Sequence, residues 1–228
     1  MFTDLITKAE KLYAGDRGSL KATIKELLVG DCYRLCHRRE VRTFFDIGAN
    51  VGLFSWTARH CFPRARIVAI EAHPANFECL KRNLAGLDVE AHNLALGDGR
   101  PLRCSRENKG NGCSQFTAGG KGVEVVSRRL ARLFRDFKIE QSGTYLKIDC
   151  EGGEASLLDT SRAETNKVLL GGVDTMVMEL HYPPGWGFSH LPPLSEWVEF
   201  FKGVRGARLD PTVNKWGNSL AWAGLYPE

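Results

Sequence analysis

The chain has 228 residues, enough for one large domain, and its 43% hydrophobic and 25% charged residues are the balance of an ordinary globular protein. No run of about 18 apolar residues is present to cross a membrane, and the charged start MFTDLITKAEKLYAG lacks the apolar core of a secretion signal. Seven cysteines occur without a CxxC pair, so a reduced, cytoplasmic compartment is expected.

The net charge of +4 is uneven, with basic residues gathered at 34–42, 100–109 and 128–138. Such clusters attract anions, but no aromatic residues are interleaved with them as in single-strand binders. A solvated basic face is the plainer reading, which makes a nucleic-acid partner the lesser expectation. Cys32, Cys36 and His37 cluster locally. A fourth ligand is not evident, so buried helix cysteines are preferred to zinc.

In chain order, residues 4–14 and 19–40 have helical spacing and read as an N-terminal cover. Alternating strands and helices follow. TFFDIG is a strand and VGLFSWTARHCF a helix; RIVAIEA is a strand, and PANFECLKRNLAGL is a helix opened by Pro74. VEAHNLAL, TYLKID and TMVMELHY are further strands, with a helix over EASLLDTS between the last two. LSEWVEFFKGV forms a late helix, and RLD with SLAWAGLYP a terminal hairpin. This order predicts a mostly parallel sheet covered on both faces, with antiparallel strands at one edge. Residues 97–127 interrupt the rhythm, and a hairpin of PLRCS with SQFT is expected inside them.

Two motifs carry the chemistry. In FFDIGANVGLFS the strand ends in Asp46, and Gly48-Ala49-Asn50-Val51-Gly52 turns the chain into a helix, a turn that lets a ligand approach the backbone. Glu71 ends the next strand about 20 residues later, placed to accept both hydroxyl hydrogens of a ribose. A ribonucleoside cofactor across the strand ends follows from the pair. A dinucleotide needs the glycine spacing G-x-G-x-x-G, which this turn lacks. Asp46 would oppose a pyrophosphate and favour an ammonium, so S-adenosylmethionine is the expected cofactor.

DIGANVGLFS, AIEAHPANFECLKRN, HNLALGD and YLKIDCEGGEASLL, in that order over residues 43–181, resemble the FkbM family of class I S-adenosylmethionine-dependent methyltransferases. The resemblance implies a Rossmann-like fold, α/β, with a seven-stranded mostly parallel sheet and helices on both faces. Residues 1–42 would form the helical cover and 43–228 the methyltransferase domain of a single unit. It also implies methyl transfer, typically to a hydroxyl on a sugar or natural product, and the expected reaction is O-methylation of a sugar, glycan or other polyhydroxylated small molecule. By that correspondence Gly48, Ala49, Asn50 and Gly52 line the methionine side, Glu71 holds the ribose beside Ala72, and Ala95 and Leu96 edge the adenine. Ala72 stands where the family often has proline, while Pro74 is retained.

The stretch YLKIDCEGGE puts Lys147, Asp149, Glu151 and Glu154 at a strand end, where open α/β sheets bind ligands. Methyl transfer to an alcohol needs alignment and a proton acceptor. Asp149, Glu151 and His181 compete for that role, while Lys147 is read as neutralising a carboxylate. Clustered carboxylates could instead hold a divalent cation, which is not favoured. Glu154 is read as a charge at a helix start. Loop 108–122 and YPPGWGF, with Trp186 and Phe188, are expected to cover the acceptor. The rival readings are an RNA or DNA methyltransferase using the basic clusters as a phosphate track, a noncatalytic cofactor-binding module and an NAD(P)-dependent oxidoreductase.

Overall fold

A computed structural model describes residues 2–30, 33, 35, 40–104, 116–117, 122–181, 191–213 and 219–225. The elements in chain order begin with α1 (Phe2–Ala9) and α2 (Arg17–Ile24), which runs into a π-helical turn at Lys25–Val29. Next come β1 (Thr43–Ile47), α3 (Leu53–Cys61), β2 (Arg66–Glu71), α4 (Pro74–Asn83), β3 (Glu90–Asn93) and β4 (Ala95–Leu96). The middle of the chain holds β5 (Leu102–Cys104), β6 (Phe116–Thr117), β7 (Val123–Val125), β8 (Ser127–Arg128) and α5 (Leu130–Asp136). The last part holds β9 (Thr144–Ile148), a 3-10 helix (Gly153–Leu158), α6 (Ala163–Leu170) and β10 (Thr175–His181). It closes with α7 (Leu194–Lys202), β11 (Ala207–Val213) and β12 (Ser219–Leu225).

Successive side chains of a strand point to opposite faces, and the central strands use both. Phe45, Val68, Leu146 and Met178 join one buried cluster that also holds Leu133, Leu170 and Trp197 from α5, α6 and α7. Their neighbours Phe44, Ile67, Tyr145 and Val177 join a second cluster with Leu20 and Ile24 of α2 and Phe54 of α3. Strands buried on both faces read as continuous hydrophobic runs. The N-terminal cover belongs to that second layer.

The main sheet has seven strands in the order β11-β12-β10-β9-β1-β2-β3. β3, β2, β1, β9 and β10 are parallel, while β12 pairs antiparallel with β10 and β11. This is the expected seven-stranded architecture with its antiparallel edge. The order reverses at β1, so the crevice beyond its C-terminal end is where such sheets bind ligands.

The expected hairpin is present, since Arg103 pairs with Thr117 and Cys104 with Phe116, and β7 extends it to three strands. Three expectations need correction. VEAHNLAL is two strands, because β4 leaves the main sheet to pair with β8. The helix expected over EASLLDTS is a short 3-10 turn, and the full helix there is α6. No element was expected at the basic cluster 128–138, which contains α5, whose Leu130, Leu133 and Phe134 are buried at helical spacing. Among the described residues no helix is long and apolar enough to cross a membrane. Cys32, Cys36, His37, most of loop 108–122, Trp186 and Phe188 lie outside the described residues.

Candidate active site

The turn after β1 is built to approach the end of β9. Gly48 has φ 82, and a Cβ there would lie 1.7 Å from the Asp149 carbonyl oxygen, so only glycine fits. Gly48 and Ala49 donate backbone hydrogen bonds to the Ile70 carbonyl at 2.9 and 2.8 Å. Asn50, at φ 53, turns its backbone N–H onto Glu71 Oε2 at 2.8 Å. Gly52, at φ 89, sits against Leu80 and Leu84 and shapes the entry to α3.

Glu71 is buried at the tip of β2, with Oε1 accepting the His73 N–H at 2.7 Å. Burial pushes its carboxyl up to about 7, although the His73 and Asn50 N–H groups pull the other way. A carboxylate has about four acceptor positions, so two backbone donors leave capacity for ribose hydroxyls. Beside it lies a slot lined by Ile70, Ala72, Ala95, Leu96, Leu102 and Cys150. The slot has a volume of about 60 Å³, and Asp149 and Glu151 line it together with Glu71; apolar walls beside a carboxylate are the surroundings an adenosine would need. Asn76, which the sequence reading missed, lines this slot and the cavity next to it.

That second cavity, of about 200 Å³, runs beneath the N-terminal cover and shares Gly48, Asn50, Asp149 and Glu151 with the slot. Its wall from α2 and the π turn presents Asp16, Ser19, Thr23 and Glu26, spaced three or four apart on one helical face. The cover is fastened at both ends. Tyr13 and Asn83 exchange hydrogen bonds at 2.7 and 2.9 Å. Tyr33 donates to Asp149 Oδ2 at 3.1 Å, and its own carbonyl accepts the Tyr145 hydroxyl.

Asp46 lines neither cavity, contrary to the expectation that it faces the cofactor's ammonium. It is fully buried, its Oδ2 accepts from Ser55 at 2.7 Å, and its Oδ1 lies 3.3 Å from Lys147 Nζ. The two residues are direct partners in the β1–β9 ladder, which points both into the layer under the cover. Burial raises the Asp46 pKa, against the pull of Lys147. Lys147 bridges Asp46, Asp149 at 3.6 Å and the Gly48 carbonyl at 2.5 Å. Burial opposes its charge, but Asp46 and Asp149 outweigh it and raise its pKa. The ammonium therefore neutralises carboxylates, as the sequence suggested, and also ties down the glycine turn.

At the end of β9 the chain bends sharply, with Glu151 at φ 55 and Gly152 at φ 100. This bend carries Glu151 across to β10, where its Oε2 lies 3.2 Å from His181 Nε2. The other ring nitrogen, Nδ1, is 2.7 Å from Glu154 Oε1, which also accepts the His181 backbone N–H at 3.0 Å. Glu154 is fully buried, so its position at a helix start is secondary to this contact. Burial opposes charge on both partners. The pair outweighs it, holding Glu154 below the ordinary carboxylate range and His181 well above the ordinary imidazole range. Charge on His181 is thus favoured, with Nδ1 hydrogen-bonded to Glu154 and Nε2 within ion-pair distance of Glu151.

Asp149, Glu151 and His181 offer donor atoms all within 4.8 Å of one another, a spacing that a divalent cation accepts. Binding one would displace the Nε2 proton. Half-buried Glu179 lines the same cavity, and its carboxyl is pushed well up by burial and by Asp149. The structure therefore brings Lys147, Asp149 and Glu151 to the cavity under the cover and sets His181 beside Glu151, outside the cavity lining. It adds Glu154, whose role needed the fold to be seen.

The fold and crevice define a class I methyltransferase architecture. The METTL16 methyltransferase domain superposes with a TM-score of 0.53 at 12% identity, covering 100% of this chain and 78% of that one; that likeness speaks for the fold alone. The Methyltransferase FkbM domain matches residues 46–206, so the chain belongs to the FkbM methyltransferase family. Curated relatives include Methyltransferase sdnD of Sordaria araneosa, 32% identical over 104 residues, and Methyltransferase 1 of Beauveria bassiana, 28% identical over 97 residues. These alignments cover 45% and 40% of this chain and only 38% and 39% of the two relatives.

Proposed function

We propose that the protein is an S-adenosylmethionine-dependent O-methyltransferase acting on a hydroxyl of a sugar, glycan or other polyhydroxylated small molecule. Bound S-adenosylmethionine would supply an electrophilic methyl group on its sulfonium. Glu71, with Ala72, Ala95 and Leu96, would hold the adenosine, and the Gly48–Asn50 turn the methionine end.

The observation that supports this reading is His181 set between Glu154 and Glu151, the latter of which lines both cavities. Glu151 is then the group that takes the acceptor's hydroxyl proton, and His181 positions it. Asp149 is held by Tyr33 and Lys147 and serves to orient the acceptor. The polar face of Asp16, Ser19, Thr23 and Glu26 offers hydrogen-bond partners to neighbouring hydroxyls, which favours a polyhydroxylated acceptor.

Incubation with labelled S-adenosylmethionine and a panel of glycans, small alcohols and RNA tests this reading. Label on a hydroxyl of a glycan or alcohol is expected, and E151Q should lower turnover roughly 10²–10⁴-fold. Label appearing only in RNA, or full turnover by E151Q, would overturn it. Repeating the assay with a chelator reads any need for a cation.

A further inference from the structure

A groove of about 690 Å³ opens beside the adenine slot and shares no lining residue with it. The chain passes from one to the other between Leu96 and Gly97, and again between Gly153 and Ser156. Six arginines line the groove: Arg100, Arg128, Arg129, Arg132, Arg135 and Arg162. Asp98 and Asp159 are its acidic residues. Asp136 stands just behind, approached by Arg132 at 2.6 Å, Arg135 at 3.9 Å and Arg128 at 4.0 Å. Six positive charges against those three carboxylates leave a surplus of three.

The walls are fixed. Ser127 Oγ donates to the Arg100 carbonyl at 2.6 Å and accepts the Gly99 N–H at 3.1 Å, which pins the turn carrying Arg100 to β8. Asp98 accepts from both the backbone and the guanidinium of Arg100. Opposite, buried Asn166 donates to the Leu157 carbonyl at 3.0 Å, joining α6 to the 3-10 turn. Arg129 and Arg162 are exposed and have no ion-pair partner among the described residues. Their charges act at longer range on Asp159, whose carboxyl they help to hold down, after the closer hydrogen bonds from Ser161.

We propose that this groove binds a ligand through a diphosphate or longer phosphate chain. Guanidinium groups bind phosphate oxygens in pairs, and several arginines held around one concavity suit more than one linked phosphate. A diphosphate carries roughly three negative charges near neutral pH, which matches the surplus. The groove is of small-ligand size. None of its described lining residues is aromatic, so it lacks the stacking surface that single-stranded nucleic acid uses. This inference is independent of the acceptor proposed above.

Calorimetric titration with inorganic pyrophosphate tests it, with orthophosphate and a duplex oligonucleotide as parallel arms. Saturable pyrophosphate binding is expected, at least tenfold tighter than orthophosphate and weakened at least tenfold by R129E and by R162E. K202E, at an exposed lysine on α7, makes the same charge change elsewhere and should leave binding intact. Binding of S-adenosylhomocysteine reads whether each variant is folded. Absence of saturable pyrophosphate binding, equal weakening by K202E, equal affinity for orthophosphate, or binding of the duplex alone would each overturn the proposal.

Discussion

His181 and Glu154 meet across 27 residues of sequence, Nδ1 to Oε1 at 2.7 Å, with both side chains almost wholly buried. The contact joins the tip of β10 to the 3-10 turn after β9. It favours charge on a histidine that would otherwise titrate near neutrality. Its folded pKa is raised, so its stabilising contribution is complete below the ordinary imidazole value and is lost as pH rises through the higher folded value. Glu154 has a lowered pKa, so its share is present above the ordinary glutamate value and is lost as pH falls through the folded one. E154Q should bring the His181 titration down towards neutral pH, as read by NMR of the imidazole. An unchanged titration would contradict the pairing.

Removing Lys147 leaves Asp46 buried without its cation. K147M should destabilise the protein by about 3–5 kcal/mol, the usual range for breaking a buried pair from one side. The double change D46N with K147M should cost less than the sum of the two single changes. Urea unfolding of the four proteins supplies the cycle, and strict additivity would contradict the coupling.

Two glycines with similar φ separate strain from collision. A Cβ on Gly86, at φ 77, would meet nothing within 4 Å, whereas one on Gly48 would strike the Asp149 carbonyl. G86A should cost only about 1–2 kcal/mol, the penalty of a left-handed alanine. G48A should cost well beyond that and distort the crevice. Thermal denaturation of both, with S-adenosylhomocysteine binding by G48A, checks the contrast.

Glu71 has its carboxyl raised to about 7 by burial, so the free protein favours the protonated acid below that pH. Ribose hydroxyls donate to the ionised form. Affinity for S-adenosylhomocysteine should therefore increase as pH rises through about 7, and E71Q should bind more weakly with a flatter pH profile. Calorimetry across that window gives both curves, and a flat wild-type profile would contradict the assignment.

Much of this architecture was legible in the residues. The order of strands and helices, the glycine turn and the acid at the tip of β2 are local features, because hydrophobic period and turn chemistry act over a few residues. The same logic failed at 128–138, where arginines on the solvent side hid the Leu130, Leu133 and Phe134 face of α5. It also failed at Leu94, where the chain changes sheets without any break in its apolar pattern.

The sequence by itself determined the doubly covered sheet, the glycine turn after β1 and the set of charged residues at the ends of β9 and β10. Only the tertiary structure decided which of those charges pair. It turned Asp46 inward onto Ser55 and Lys147, gave Glu154 to His181, and gathered arginines from three separate segments into one groove. The reason is physical. A residue's neighbours along the chain fix its backbone and its face, while burial and charge pairing depend on partners that only folding brings within reach.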